Sequence, residues 1–106
     1  MKPEARAQED IKHLMRDLLG FACWDMSQDR KTRQTPGIPD LILMGYGHVL
    51  FVEVKAGRGK ESEAQIDFRE TCNANGGLSL VWYGVSDAKE WVHGEGIVKL
   101  HQQAVQ

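Results

Sequence analysis

Between residues 4 and 19, apolar side chains recur at helical spacing: Ala7, Ile11, Leu14 and Leu18, with Met15 and Leu19 widening the stripe. This pattern predicts an amphipathic helix, and Gly20 follows in the position that ends one. Phe21-Ala22-Cys23-Trp24 is a short apolar run that predicts a first strand. From Ser27 to Gly37 the chain is polar and basic without periodicity, which predicts a loop. Pro39 suits the first position of a strand, where its missing N–H does no harm. Residues 40–56 read as a hairpin of two apolar stretches around Gly45-Tyr46-Gly47-His48. Its second strand, Val49-Leu50-Phe51-Val52, is apolar on both faces, as in a central strand buried on both sides.

After a basic turn, Gly57-Arg58-Gly59-Lys60, Ser62 and Gln65 have the spacing of a capping box and predict a second helix. Ala64, Phe68 and Cys72 form its inward stripe, and Asn75-Gly76-Gly77 stops it. Leu78 to Tyr83 predicts another strand, Ser86 caps a short helix through Val92, and Ile97-Val98-Lys99-Leu100 predicts a last edge strand. Trp24 and Trp82 are expected in the core, and Trp91 in the core or at a subunit interface. The predicted order is αβββαβ with a small αβ tail: an α+β fold with a mixed central sheet flanked by helices.

The hairpin brings charge together. Either a four-residue loop or a two-residue Tyr46-Gly47 turn pairs Met44 with Val49. Asp40 then lies opposite Glu53, with Cβ atoms roughly 5 Å apart. Two like charges placed there repel unless something positive sits between them. Lys55 is two residues beyond Glu53 and points to the same face of its strand.

Composition adds bounds. A chain of 106 residues is expected to form one domain, with 42% hydrophobic and 26% charged residues as in ordinary globular proteins. No apolar stretch approaches a membrane span, and MKPEARAQED does not read as a signal peptide. Cys23 and Cys72 are therefore expected to be reduced, partly buried thiols of a cytoplasmic protein. His13 and His48 have no ligand spacing with another His or Cys. The net charge of −2 argues on its face against a nucleic-acid partner. Its distribution argues otherwise: residues 30–60 hold six basic side chains against Asp40 and Glu53 alone. Positive charge thus surrounds the carboxylate pair, where a polyanion would approach. Solvated loop charges are the alternative.

Two carboxylates and an amine at one spot suit metal-assisted phosphodiester hydrolysis. Hard divalent ions such as Mg²⁺ take oxygen ligands, usually one or two carboxylates plus waters and substrate phosphate. Asp40 and Glu53 supply the carboxylates, and the Val54 backbone carbonyl a third oxygen. Such an ion acidifies water and offsets charge on the reacting phosphate, and Lys55 orients the water or stabilises that charge as a donor. The alternative is that Asp40 caps the start of a strand while Glu53 and Lys55 form a surface pair. Against it, both sit in the most apolar strand of the chain, where unpaired charge is expensive.

Gly37-Ile38-Pro39-Asp40-Leu41, then Val52-Glu53-Val54-Lys55, then Ser62-x-x-Gln65-x-x-Phe68 resembles the PD-(D/E)xK nuclease superfamily. Within it the chain looks most like the stand-alone VRR-NUC nucleases of phages and prophages, over about residues 5–92. The resemblance implies a restriction-endonuclease-like αβββαβ core, Mg²⁺ or Mn²⁺ dependence with no small-molecule cofactor, and cleavage of DNA. It also implies homodimers able to act on branched, flap or Holliday-junction-like DNA inside a host cell. By the same resemblance Gln65 lies near the metal site as a catalytic residue, although a capping role accounts for it equally. Glu9 takes the place of an acidic residue on the first helix that reaches the metal through water, against the alternative of a solvated helix charge. Arg30, Lys31 and Arg33, and from the other side Arg58 and Lys60, are candidate phosphate contacts. Two other readings stay open: a catalytically silent nucleic-acid-binding or assembly module on the same fold, and an RNA-directed nuclease.

Overall fold

The structure is a computed structural model that describes residues 1–27 and 36–104. Helix α1 (Pro3–Lys12) is followed without a break by a π-helical turn, His13–Leu18. Strand β1 (Ala22–Asp25) leads to the hairpin β2 (Leu41–Gly45) and β3 (His48–Val54). Helix α2 (Glu63–Ala74), strand β4 (Ser79–Trp82), helix α3 (Val85–Gly94) and helix α4 (Ile97–Ala104) complete the chain. The sheet order is β1-β2-β3-β4, antiparallel except for the parallel pair β3–β4. The predicted α+β fold with a mixed sheet is the one found.

Alternation along β3 divides the sheet into two faces. Leu50, Val52 and Val54 point to one side and pack with Leu41, Leu43 and Trp82 against Ile11, Met15, Ala88, Val92 and Ile97, which form the core. On the other side the Phe51 ring meets the Phe68 ring of α2, centroids 5.8 Å apart. Helices α1, α3 and α4 therefore cover one face and α2 the other. The hairpin closes through Tyr46 and Gly47 alone, with φ of +53° and +80°, the two positive values of a type I′ turn. Tyr46 is held there by its hydroxyl, which donates to the Leu19 carbonyl oxygen at 2.5 Å, and by its ring against Phe21.

Several elements differ from the sequence expectation. The first helix buries Met15 and Leu19, while Leu18 is 54% exposed. A π-helical turn carries extra residues per turn, so the stripe slides one position towards the C-terminus. Residues 97–100 open helix α4 rather than an edge strand, because a short apolar run has no period of its own and Ile97 is drawn into the helical core. Helix α3 starts two residues early, with Gly84 rather than Ser86 at its cap. Trp82 is in the core, but Trp24 is 49% exposed and Val49 46%, because α2 leaves that part of the outer face uncovered. Trp91 is half-buried against Trp82 and His48.

One close approach positions the segment leading into β2. Gly37 has φ +88°, and a Cβ there would lie 2.3 Å from the Ala64 carbonyl oxygen of α2. Gly37→Ala is therefore expected to destabilise the fold by about 1–3 kcal/mol, combining left-handed strain with backbone overlap. A urea midpoint equal to that of the parent chain would count against this docking.

Candidate functional site

The hairpin register carries through as Leu41↔Val52, so the next step of the ladder sets Asp40 opposite Glu53. Both are buried, at 2% and 5% exposure. Asp40 is fixed twice: its Oδ2 accepts the Val54 N–H at 2.8 Å, and its carbonyl oxygen accepts the Met26 N–H at 2.7 Å. The Lys55 N–H turns the other way and donates to the Trp82 carbonyl of β4 at 3.0 Å. The N–H and C=O of one strand residue point the same way. The Val54 carbonyl is therefore directed towards the strand that carries Asp40. Lys55 Nζ lies 3.9 Å from Glu53 Oε1, with 14% of its side chain exposed.

A third carboxylate completes the group, and it is Glu4. Oxygens of Glu4, Asp40 and Glu53 all lie within 4.8 Å of one another. Glu9, expected to reach the metal through water, has its Oε1 2.8 Å from Lys12 Nζ and is not part of this group. The signal was present in the helical period. At about 100° per residue, Glu4 falls about 20° from the core residue Ile11, whereas Glu9 falls about 160° away.

The other expected site residues are placed as follows. Gln65 forms the capping box: its Oε1 accepts the Ser62 N–H at 2.7 Å, and its own N–H donates to Ser62 Oγ at 3.2 Å. No hydrogen bond from Gln65 to Asp40, Glu53 or Lys55 occurs among the described residues, so its capping role is the one seen. Lys60 lines a cavity with Lys55, and Arg58 is exposed in the adjoining turn. Arg30, Lys31 and Arg33 lie outside the described residues.

Beside the acidic group is a partly buried polar hub that sequence reading did not find. Asp25 Oδ1 accepts the Ser27 N–H at 2.9 Å and the Ser27 hydroxyl at 2.6 Å. Asp25 Oδ2 accepts Gln8 Nε2 at 3.0 Å and Lys12 Nζ at 2.9 Å. Burial works against the Asp25 charge, but the hydrogen bonds from Ser27 and Lys12 outweigh it and hold the carboxyl below its ordinary value. Burial likewise opposes the Lys12 charge, and the bonds to Glu9 and Asp25 raise its pKa despite that. Gln8 stands one turn after Glu4, and Met26, next to Asp25, holds the Asp40 carbonyl. The hub thus joins the helix that bears Glu4 to the strand end that fixes Asp40. Ser27 is a local partner of Asp25, but Gln8 and Lys12 on the helix are separated from Asp25 and Ser27 by 13 to 19 residues, and no local pattern links the two groups.

Together these features define an α+β domain with helices on both faces of a mixed sheet and an acidic group at the open end of its central hairpin. Its fold is that of a VRR_NUC domain. A solved structure described as a VRR_NUC domain matches with a TM-score of 0.73 at 24% identity, over 88% of this chain and 97% of that chain. At that identity the likeness is one of fold. No protein-family model and no curated protein matches the chain. Among the described residues, no helix is long and apolar enough to cross a membrane.

Proposed function

We propose that the chain is a divalent-metal-dependent DNA endonuclease. The observation that carries this reading is the convergence of three carboxylates within 4.8 Å, two of them buried. Negative charges gathered in a poorly solvated place repel strongly, and a cation between them removes the cost. An all-oxygen donor set is what Mg²⁺ or Mn²⁺ takes. Asp40, Glu53 and Glu4 would hold the ion, with the Val54 carbonyl as a further oxygen. When bound, it would supply Lewis acidity and offset the charge that builds on a phosphate during hydrolysis. Asp40 keeps its orientation through the Val54 and Met26 N–H groups, and Lys55 presents a donor to a phosphate lying against the group. Gln65 has no catalytic step in this scheme.

The homodimer and the branched or flap substrate are also part of the proposal. Trp24, Met44 and Val49, each more than 40% exposed on the outer sheet face, are side chains that a second copy would cover. Light scattering of the purified chain reads this directly, and a monomer at all concentrations would remove the dimer.

Duplex, flap and four-way-junction DNA, with RNA in parallel, are to be incubated with Mg²⁺ or Mn²⁺. Cleavage is expected for the parent chain and its loss, about a hundredfold or more, for Asp40→Ala and Lys55→Ala. Cleavage that survives Asp40→Ala would overturn the reading. A gel shift without cleavage under Mn²⁺ would favour the silent binding module.

A further inference from the structure

Two cavities open beside the acidic group, and Lys2 and Glu4 border both. The smaller, about 180 Å³, runs along α1 to Gln8, Ser27 and Asp40. The larger, about 370 Å³, is bordered by Lys2, Glu4, Lys55, Gly59 and Lys60. It gathers three lysines around a single carboxylate. A Cβ at Gly59 would come within 3.2 Å of the Ala56 carbonyl oxygen and 3.6 Å of Lys55 Cδ, so this turn lies close against the Lys55 stem.

Of the three lysines at this cavity, Lys55 lies 3.9 Å from Glu53 Oε1, whereas Lys2 and Lys60, like Arg58, Lys89 and Lys99, form no ion pair among the described residues. This is so although the chain carries more acidic than basic side chains. Arg6 pairs with Asp10, Lys12 with Glu9 and Asp25, Arg16 with Asp17, and Arg69 with Glu61. Two lysines without ion pairs, brought from distant positions of the chain to one cavity, fit an oxyanion. The cavity shares Glu4 with the acidic group and Lys55 with its rim, so an oxyanion held there sits next to the reacting one rather than in its place.

We propose that the cavity between Lys2, Lys55 and Lys60 is a phosphate subsite for the phosphodiester adjacent to the one cleaved. Lys2 and Lys60 are its own cations, and Lys55 is shared with the reacting group. The assignment rests on the nuclease reading above. The same chemistry is offered by a terminal phosphate on a strand end, and the test separates the two sources.

Binding is to be read by fluorescence anisotropy with the full chain carrying Asp40→Asn, so that nothing is cut. The DNA panel places one neutral methylphosphonate linkage at a time along the strand, and also compares ends with and without a phosphate. One methylphosphonate position is expected to weaken binding about tenfold. Adding Lys2→Ala and Lys60→Ala should weaken binding to unmodified DNA by a similar factor and abolish sensitivity to that position. The slope of log K against log[salt] should fall by about one, for the one phosphate that the subsite holds. If removal of the terminal phosphate gives the loss instead, the subsite stands and takes a strand end. Unaltered affinity in the double lysine variant, or retained sensitivity to the same linkage, overturns the subsite. The Mg²⁺-induced rise in Tm, measured for Lys2→Ala/Lys60→Ala with Asp40 intact, is expected to match the parent, which separates loss of cations from loss of fold. If the parent chain cuts DNA while the lysine variants bind like their parent, the subsite alone fails. If the parent neither binds nor cuts DNA, the nuclease reading fails first.

Discussion

Asp40→Asn is expected to melt at least as high as the parent chain without metal and to lose the stabilisation that Mg²⁺ or Mn²⁺ gives the parent. The amide keeps an oxygen that can accept the buried Val54 N–H, now held at 2.8 Å by the carboxylate. It removes one of three like charges gathered within 4.8 Å. In the parent, an ion at about a hundred times its Kd should add about 2.7 kcal/mol. Asp40→Ala relieves the same repulsion but leaves the Val54 N–H buried without its acceptor, so it should fall below Asp40→Asn by about 1–3 kcal/mol. Both variants should be inactive in the cleavage panel. Differential scanning calorimetry with and without metal distinguishes these outcomes. An undiminished metal shift in Asp40→Asn would remove Asp40 from the ion's ligands.

Asp25→Ala should be the most destabilising single change in the hub. The carboxylate accepts four hydrogen bonds, the one from Lys12 being an ion pair, and its side chain is 11% exposed against 8% for Lys12. Removing it leaves Lys12 buried with Glu9 as its remaining charge partner, and about 3–5 kcal/mol is expected to be lost. That is a large part of the roughly 5–15 kcal/mol that holds a domain folded. Lys12→Met should cost less, since Asp25 keeps Ser27 and Gln8 and the new side chain follows the apolar path of the old one. The pH dependence has a definite sign. The Asp25 carboxyl is held below its ordinary 3.8, so its contribution is present above that pH and is lost as pH falls through the lower folded value. The raised Lys12 pKa contributes in full below 10.5, and that part is lost as pH rises through the folded value. Denaturation midpoints of the parent and Asp25→Asn should converge towards acid. A gap that stays constant below pH 3.8 would contradict the linkage.

Much of this site was legible because a hairpin is a local object. A type I′ turn at Tyr46-Gly47 and alternation along two apolar strands fix which residues face each other, and they place Asp40 opposite Glu53. The cap at Ser62 was legible for the same reason, since both of its hydrogen bonds span three residues. Glu4 was harder to find. Choosing between it and Glu9 needs the orientation of a whole helix about its axis, which is set by how Ile11 and Met15 seat against the sheet. The Asp25 hub was not legible, because Gln8 and Lys12 meet Asp25 only through tertiary packing. The residues 97–100 were misread because three apolar positions around Lys99 cannot tell a helix from a strand.

The π-helical turn at His13–Leu18 has a consequence for aim. It continues the α-helical part that bears Glu4, Gln8 and Lys12 as a π-helical part that itself seats Met15 in the core and ends at Leu19. The two parts share one axis but keep different angular settings, as two gears do when one is keyed a tooth ahead of the other. Removing a single residue from this turn would restore a regular helix and rotate one part against the other by about 100°. The chain would then have to unseat Met15 and Leu19 or swing Glu4 away from Asp40. The irregular turn lets a well-packed core and a correctly pointed carboxylate exist on one helix.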